Sequence, residues 1–175
     1  MGLTLVWVLG LTNALNFIDG VDGLASGIAA IGAASLACIE YGKAPWAAAV
    51  AASIAGSCIG FLRWNFPPAK IFLGDAGSLL LGFWLATVAL AAASKTAAAT
   101  TLLLPMLVLG VPLVDVLWAV TRRALAGKPI WRADRGHLHH RLLARGFTPR
   151  KVLLVLYSVS IALGAAAVAI TKLRG

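Results

Sequence analysis

Apolar and polar positions in this chain come in long blocks rather than in alternation. Apolar runs occupy residues 3–17, 24–41, 46–62, 78–93, 101–120 and 152–170, with short polar stretches between them. A helix needs about 20 apolar residues to cross a bilayer, and most of these runs approach that length. The pattern predicts an all-α fold. It reads as a polytopic helical membrane protein of about six transmembrane helices, with residues 1–175 forming one integral-membrane domain. Gly23-x-x-x-Gly27 and Gly56-x-x-x-Gly60 carry the small-residue spacing that lets membrane helices approach closely. The polar stretch 122–151 predicts a basic loop containing a short helix.

Composition agrees with this. Hydrophobic residues make up 61% and charged residues only 12%. Mean hydropathy is +0.92. A soluble domain carries about twice that charged fraction. Cys38 and Cys58 both sit inside apolar runs, without the spacing of a redox or zinc motif, and read as packing residues. The first apolar run has no basic residue before it and no small-residue cleavage site after it. It therefore reads as a spanning helix whose start is short or missing, not as a signal peptide.

Net charge is +9, and its distribution sets an orientation. If residues 18–23 face the cytoplasm, so do 63–77 and 121–151. Those regions hold eleven of the fifteen Lys and Arg residues; Lys43, Lys95, Lys172 and Arg174 remain on the other side. The positive-inside rule favours this choice. It gathers Asp19, Asp22, Asp75, Asp134 and all three histidines on one face, which predicts a single cytoplasmic site. The excess positive charge also suits polyanionic ligands such as nucleotides and lipid phosphates.

Three polar stretches carry candidate chemistry. The first, 13–23, puts Asn13, Asn16, Asp19, Asp22, Gly20 and Gly23 between apolar runs and reads as a polar loop at the membrane surface. Asn16, Asp19 and Asp22 are spaced by three and would share a face if the stretch were helical. If it is a loop, Gly20 and Gly23 let backbone N–H groups approach a ligand. A plainer reading makes Asp22 the N-cap of the next helix. The second stretch, Phe72-Leu73-Gly74-Asp75-Ala76-Gly77-Ser78, follows a basic loop containing Arg63, Asn65 and Lys70. Asp75 is either a cap or a station for a metal and phosphate. Carboxylate and amide oxygens are hard ligands suited to Mg²⁺, and Lys70 suits phosphate oxygens. The third stretch is Asp134-Arg135-Gly136-His137-Leu138-His139-His140-Arg141. Without a cysteine or a second histidine cluster it does not complete a zinc shell. Its histidines read as hydrogen-bond partners of phosphate or sugar, or more plainly as part of a solvated basic loop. Asp115 is an acid inside the fifth apolar run. Such acids are functional candidates, but spacing does not reveal its partner.

Four segments in order, NALNFIDGVDGLASG at 13–27, RWNFPPAKIFLGDAGS at 63–78, PLVD followed by RR at 112–123, and DRGHLHHRLLARGFT at 134–148, resemble one family. It is the polyprenyl-phosphate N-acetylhexosamine-1-phosphate transferases of glycosyltransferase family 4, related to the peptidoglycan translocase MraY. The His-x-His-His form resembles the WecA-type branch. The resemblance implies a multi-pass enzyme of the cytoplasmic (inner) membrane with its active-site loops in the cytoplasm. In the implied reaction, undecaprenyl phosphate attacks a UDP-N-acetylhexosamine, commonly UDP-GlcNAc, and UMP is released. This would be the first step of a lipid-linked cell-envelope polysaccharide. It implies Mg²⁺, with Mn²⁺ as a substitute, held by Asn16 and Asp75. Asp75, Asp19 and His137 would be catalytic. Asp19, Asp22, Asn65, Lys70, Phe72, Gly74, His137, His139, His140 and Arg141 would bind substrate. Membrane lipids are implied partners, nucleic acid is not, and a homodimer is left open.

The family also carries an earlier adjacent Asp-Asp pair that acts on the lipid phosphate. No Asp precedes Asp19 here, and no two Asp residues are adjacent. The chain therefore resembles the C-terminal part of a family member, which predicts weak or absent activity in isolation. Two alternatives stand beside this reading. One is an intramembrane aspartyl protease using Asp75 with Asp115 or Asp19, although Phe72 stands where the Gly-x-Gly-Asp pattern has glycine. The other is a non-catalytic transporter or remnant subunit.

Overall fold

The computed structural model describes residues 2–93, 106–127 and 136–174. Every regular element among them is helical. In chain order these are α1 (Gly2–Ile18), α2 (Leu24–Glu40), α3 (Pro45–Asn65), α4 (Gly74–Ala93), α5 (Gly110–Leu125), α6 (Leu138–Ala144) and α7 (Pro149–Arg174). The all-α expectation holds. Among the described residues two helices, Pro45–Asn65 and Pro149–Leu173, are long and apolar enough to cross a membrane, and Gly2–Ile18, Leu24–Glu40 and Gly74–Leu90 are shorter apolar helices.

The core forms around α2, which packs against α3, α4 and α7. Twelve of its seventeen residues are buried, so it is enclosed on nearly all sides. Its small residues allow this. A Cβ on Gly27 would overlap the Tyr157 ring of α7, and one on Gly32 would meet Leu109 at 2.9 Å. The outer helices turn apolar residues outward instead: Leu5 and Leu9 on α1, Leu80 and Phe83 on α4, Leu117 on α5, and Leu154 and Ile161 on α7 are exposed. In a soluble protein such a surface would be a liability; here it is the face a bilayer covers. Among the described residues the predicted Gly56-x-x-x-Gly60 contact is not made. Neither glycine has an atom within 4 Å of a built Cβ, so this face of α3 is open. Cys58 is buried as expected, but Cys38 is exposed, so packing does not account for it.

Several boundaries differ from the sequence reading, and each shift moves a polar residue. α1 runs through Asn13 and Asn16 to Ile18, so the loop is only residues 19–23. Asn16, Asp19 and Asp22 therefore do not share a helix face. α4 begins at Gly74, which places Asp75 in its first turn, where the helix dipole favours a carboxylate. α3 continues to Asn65. The fifth run is broken at Leu109, where α5 starts anew with Pro112 in its first turn; proline's missing N–H is tolerated there and not in a helix interior. Residues 101–105 of that run lie outside the described residues. The short helix expected within 122–151 is α6.

Helix direction then gathers the polar termini. α1 pairs with α4 through the Trp7 indole N–H, which donates to the Ala86 carbonyl at 3.0 Å, and through Asn16 and Asp75 at the opposite end. The C-terminal ends of α1, α3 and α5 and the N-terminal ends of α2, α4 and α7 meet at one end of the bundle.

Candidate functional site

The site is built on two loops, 19–23 and 66–73, locked to each other by named hydrogen bonds. Gly23 precedes α2 with φ +78, a conformation that glycine adopts without a Cβ clash. Its N–H donates to Asn65 Oδ1 at 3.0 Å. The Ser26 hydroxyl donates to the same oxygen at 2.8 Å, and Asn65 Nδ2 donates to the Ile71 carbonyl at 2.9 Å. The Tyr157 hydroxyl donates to the Gly23 carbonyl from α7. Asp22 does not cap α2; the helix has no side-chain cap. Its Oδ2 instead accepts the Ala69 N–H at 3.0 Å, tying the two loops together. Asn65 and Asp22 thus act here as braces.

Asn16 sits at the end of α1 opposite the first turn of α4. Its Nδ2 donates to Asp75 Oδ1 at 3.0 Å and to Ser78 Oγ at 3.0 Å. That leaves the amide oxygen for another ligand. Asp19 lies just beyond, half-buried. Burial, then the negative charges of Asp75 and Asp22, raise its pKa from 3.8 to about 6. The negative charges of Asp75 and Asp22 beside Asp19 are the electrostatic condition a divalent cation relieves. Among the described residues no three His, Cys, Asp or Glu side chains form a metal cage. The Asp75 carboxylate and the Asn16 amide oxygen are hard oxygen donors of the kind Mg²⁺ takes, with waters and substrate oxygens completing its shell.

The histidines arrive from α6. His137 precedes the helix, 5% exposed, with Nδ1 2.9 Å from Asp115 Oδ2. Its ring lies 5.6 Å from Phe17 of α1 and 6.0 Å from His139, nearly parallel to the latter. His139 is 1% exposed, and among the described residues neither ring nitrogen has a hydrogen-bond partner. Burial and the neighbouring His140 lower its pKa from 6.5 to about 4, so it is neutral at pH 7. It presses on Gly20: a Cβ there would stand 2.5 Å from His139 Nε2. Gly20 thus makes room for an imidazole, whereas the sequence suggested room for a ligand. His140 is half-buried at the edge of the cluster, and Arg141 is exposed over Trp118 at 5.9 Å. Asp134 and Arg135 lie outside the described residues.

Lys70, Phe72 and Gly74 are on the open side. Phe72 is 72% exposed, Gly74 is exposed with φ +66, and the Lys70 ammonium lies 5.6 Å from the Trp64 ring. Arg63 stands over the same ring at 5.8 Å. Sequence reasoning missed Ser78, Ser26 and Tyr157. Ser78 stood in plain view at the end of the Gly-Asp motif, but nothing in the apolar run around Tyr157 signals its reach to Gly23. The Asp115 partner was also missed: its two oxygens face the α6 terminus, at His137 Nδ1 and the Leu138 N–H.

Comparison with known proteins agrees with the motifs. The model of glycosyl transferase family 4 matches residues 1–93. A probable undecaprenyl-phosphate N-acetylglucosaminyl 1-phosphate transferase of Bacillus subtilis (strain 168) is 40% identical over 90% of this chain and 44% of its own length. A decaprenyl-phosphate N-acetylglucosaminephosphotransferase of Mycobacterium leprae is 41% identical over 89% of this chain and 44% of its own length. A phospho-N-acetylmuramoyl-pentapeptide-transferase of Heliobacterium modesticaldum is 39% identical over 91% and 48%. The chain spans about half the length of the relatives it matches. More than half of it fits the family model, and the Asn16–Asp75 and histidine clusters fall in the segments that carry the resemblance: the chain belongs to glycosyl transferase family 4.

Proposed function

We propose that this chain forms the nucleotide and divalent-cation wall of a polyprenyl-phosphate N-acetylhexosamine-1-phosphate transferase. In this reading UDP-GlcNAc is the donor, undecaprenyl phosphate the acceptor, and UMP the leaving product. The observation that carries it is the meeting of Asn16 and Asp75 at 3.0 Å across 59 residues, with Asp19 held beside them at an elevated pKa. The names of the relatives support the transferred group and the lipid acceptor.

Phosphoryl transfer is served mainly by positioning and by charge neutralisation. Mg²⁺, or Mn²⁺ in its place, would be held by the Asp75 carboxylate and the Asn16 amide oxygen and would neutralise the diphosphate as UMP departs. Asp19 faces the same point and orients the diphosphate side. Asp22 and Asn65 hold the two loops at a fixed separation. Lys70, Phe72 and Gly74, on the open side, receive the nucleotide. His137 and His140 meet phosphate or sugar, while His139, neutral and buried, sets the height of the histidine turn over Gly20. The loops face the cytoplasm, where a soluble nucleotide meets a lipid phosphate at the inner-membrane surface.

The test is UMP release from UDP-GlcNAc and undecaprenyl phosphate, measured in membranes containing the native protein. Release is expected to require Mg²⁺ or Mn²⁺ and to fall at least about 100-fold in Asp75→Asn, as loss of an electrostatic stabiliser does. Release that survives both chelation and Asp75→Asn overturns the reading.

A further inference from the structure

Asp115 has no part in the reaction described above, yet it is 1% exposed and makes two hydrogen bonds to the α6 terminus. Oδ2 lies 2.9 Å from His137 Nδ1, and Oδ1 accepts the Leu138 N–H at 2.7 Å. The two bonds constrain each other. A backbone N–H only donates, so the group facing Leu138 must be an acceptor. An ionised carboxylate accepts through both oxygens. With the carboxylate ionised, Oδ2 accepts as well, Nδ1 carries the proton, and Nε2 keeps its lone pair in the neutral ring. Nε2 makes no hydrogen bond among the described residues. Phe17 at 5.6 Å and the nearly parallel His139 ring at 6.0 Å hold the ring plane, and Phe17 adjoins Asn16 on α1.

We propose that Asp115 is a positioning residue for the transfer reaction: it fixes the tautomer of His137 and turns Nε2 toward the Asn16–Asp75 site as a proton acceptor. A substrate O–H that gives its proton to Nε2 leaves an oxyanion and an imidazolium, and the Asp115 carboxylate stabilises that imidazolium. The same two bonds pin the start of α6 to α5, which explains an acid in an apolar helix. The group that Nε2 meets rests on the transferase reading; the tautomer does not.

The test uses Asp115→Asn. The amide is nearly isosteric, and its oxygen must stay on the Leu138 N–H. Its NH₂ then faces His137 and donates to Nδ1, driving the ring proton to Nε2. Nitrogen-15 NMR of ring-labelled histidine, on the chain in detergent micelles at pH 8, reads this directly. The wild-type protein is expected to show a protonated Nδ1 and a bare Nε2, and the variant the reverse. In the native protein the variant is expected to lose about 100-fold or more in kcat, with KM for the UDP-sugar little changed. A wild-type His137 protonated only on Nε2 overturns the proposal without any variant having to fold. A variant with an unaltered tautomer, or with wild-type kcat, also overturns it. If wild-type membranes release no UMP, the transferase reading fails, and the NMR result still decides the role of Asp115.

Discussion

Replacing Asp19 with Asn should stabilise the cation-free protein above pH 6 and leave it unchanged below pH 4. The Asp19 pKa is raised from 3.8 to about 6 by burial and by the charges of Asp75 and Asp22. The folded state therefore holds this proton more tightly than the unfolded chain. Its stabilising contribution is complete below pH 3.8 and is lost as pH rises through about 6. Two units correspond to about 3 kcal/mol at 1.36 kcal/mol per unit. Asp19 is only half-buried, and solvent screening reduces this to about 1–2 kcal/mol. Asn carries no charge and escapes the penalty. For a domain of this size, that is a rise in Tm of about 2–8 °C at pH 7.5, at about 2–4 °C per kcal/mol. The assay is thermal unfolding in detergent micelles with EDTA, from pH 4 to 8. Added Mg²⁺ should stabilise the wild type more than the variant, because the cation relieves the charge that Asn has already removed. A difference independent of pH, or a destabilised variant above pH 6, would refute the electrostatic account.

Other substitutions test the frame around the site. Asn65→Ala leaves the Gly23 N–H and the Ser26 hydroxyl without their acceptor. At about 1–3 kcal/mol for each orphaned group, and with the hydroxyl able to turn to the Gly23 carbonyl, denaturant unfolding should show a loss of about 2–4 kcal/mol. Gly82→Ala places a Cβ 2.6 Å from Thr12 Cα, so α1 must move off α4. It should cost about 1–3 kcal/mol in the same assay and weaken cation binding. Gly60→Ala meets nothing within 4 Å and should be neutral or stabilising by up to about 1 kcal/mol. Gly20→Ala should displace His139, which NMR would show as a shifted imidazole, with UMP release reduced.

The blockwise hydrophobic pattern was enough to read an all-helical membrane bundle, because helices in a bilayer must satisfy their own backbone. The polar residues clustered in the apolar chain pointed to the site, and Asn16 and Asp75 do meet. Less legible was how polar residues divide between ligand-facing and bracing work. Asp22 and Asn65 look like pocket residues by motif, but their bonds go to Ala69, Gly23, Ser26 and Ile71. His139 belongs to a polar run yet is buried against Gly20, a contact between residues over a hundred positions apart. Asp115 and His137 illustrate the same limit, since spacing of 22 residues carries no periodic signal. The break at Leu109 was hidden because the run on both sides is apolar; only Gly110 and Pro112 mark it.

The central claim is that Asn16 and Asp75 hold a divalent cation jointly with a nucleotide diphosphate. Electron paramagnetic resonance of Mn²⁺ titrated onto this chain in micelles tests it most directly, with and without UDP-GlcNAc. The account predicts weak Mn²⁺ binding that tightens when the UDP-sugar is added, is lost in Asp75→Asn, is weakened in Asn16→Ala, and is unchanged in Glu40→Gln at the far end of the bundle. Binding indifferent to the UDP-sugar, or equally strong in Asp75→Asn, would contradict it.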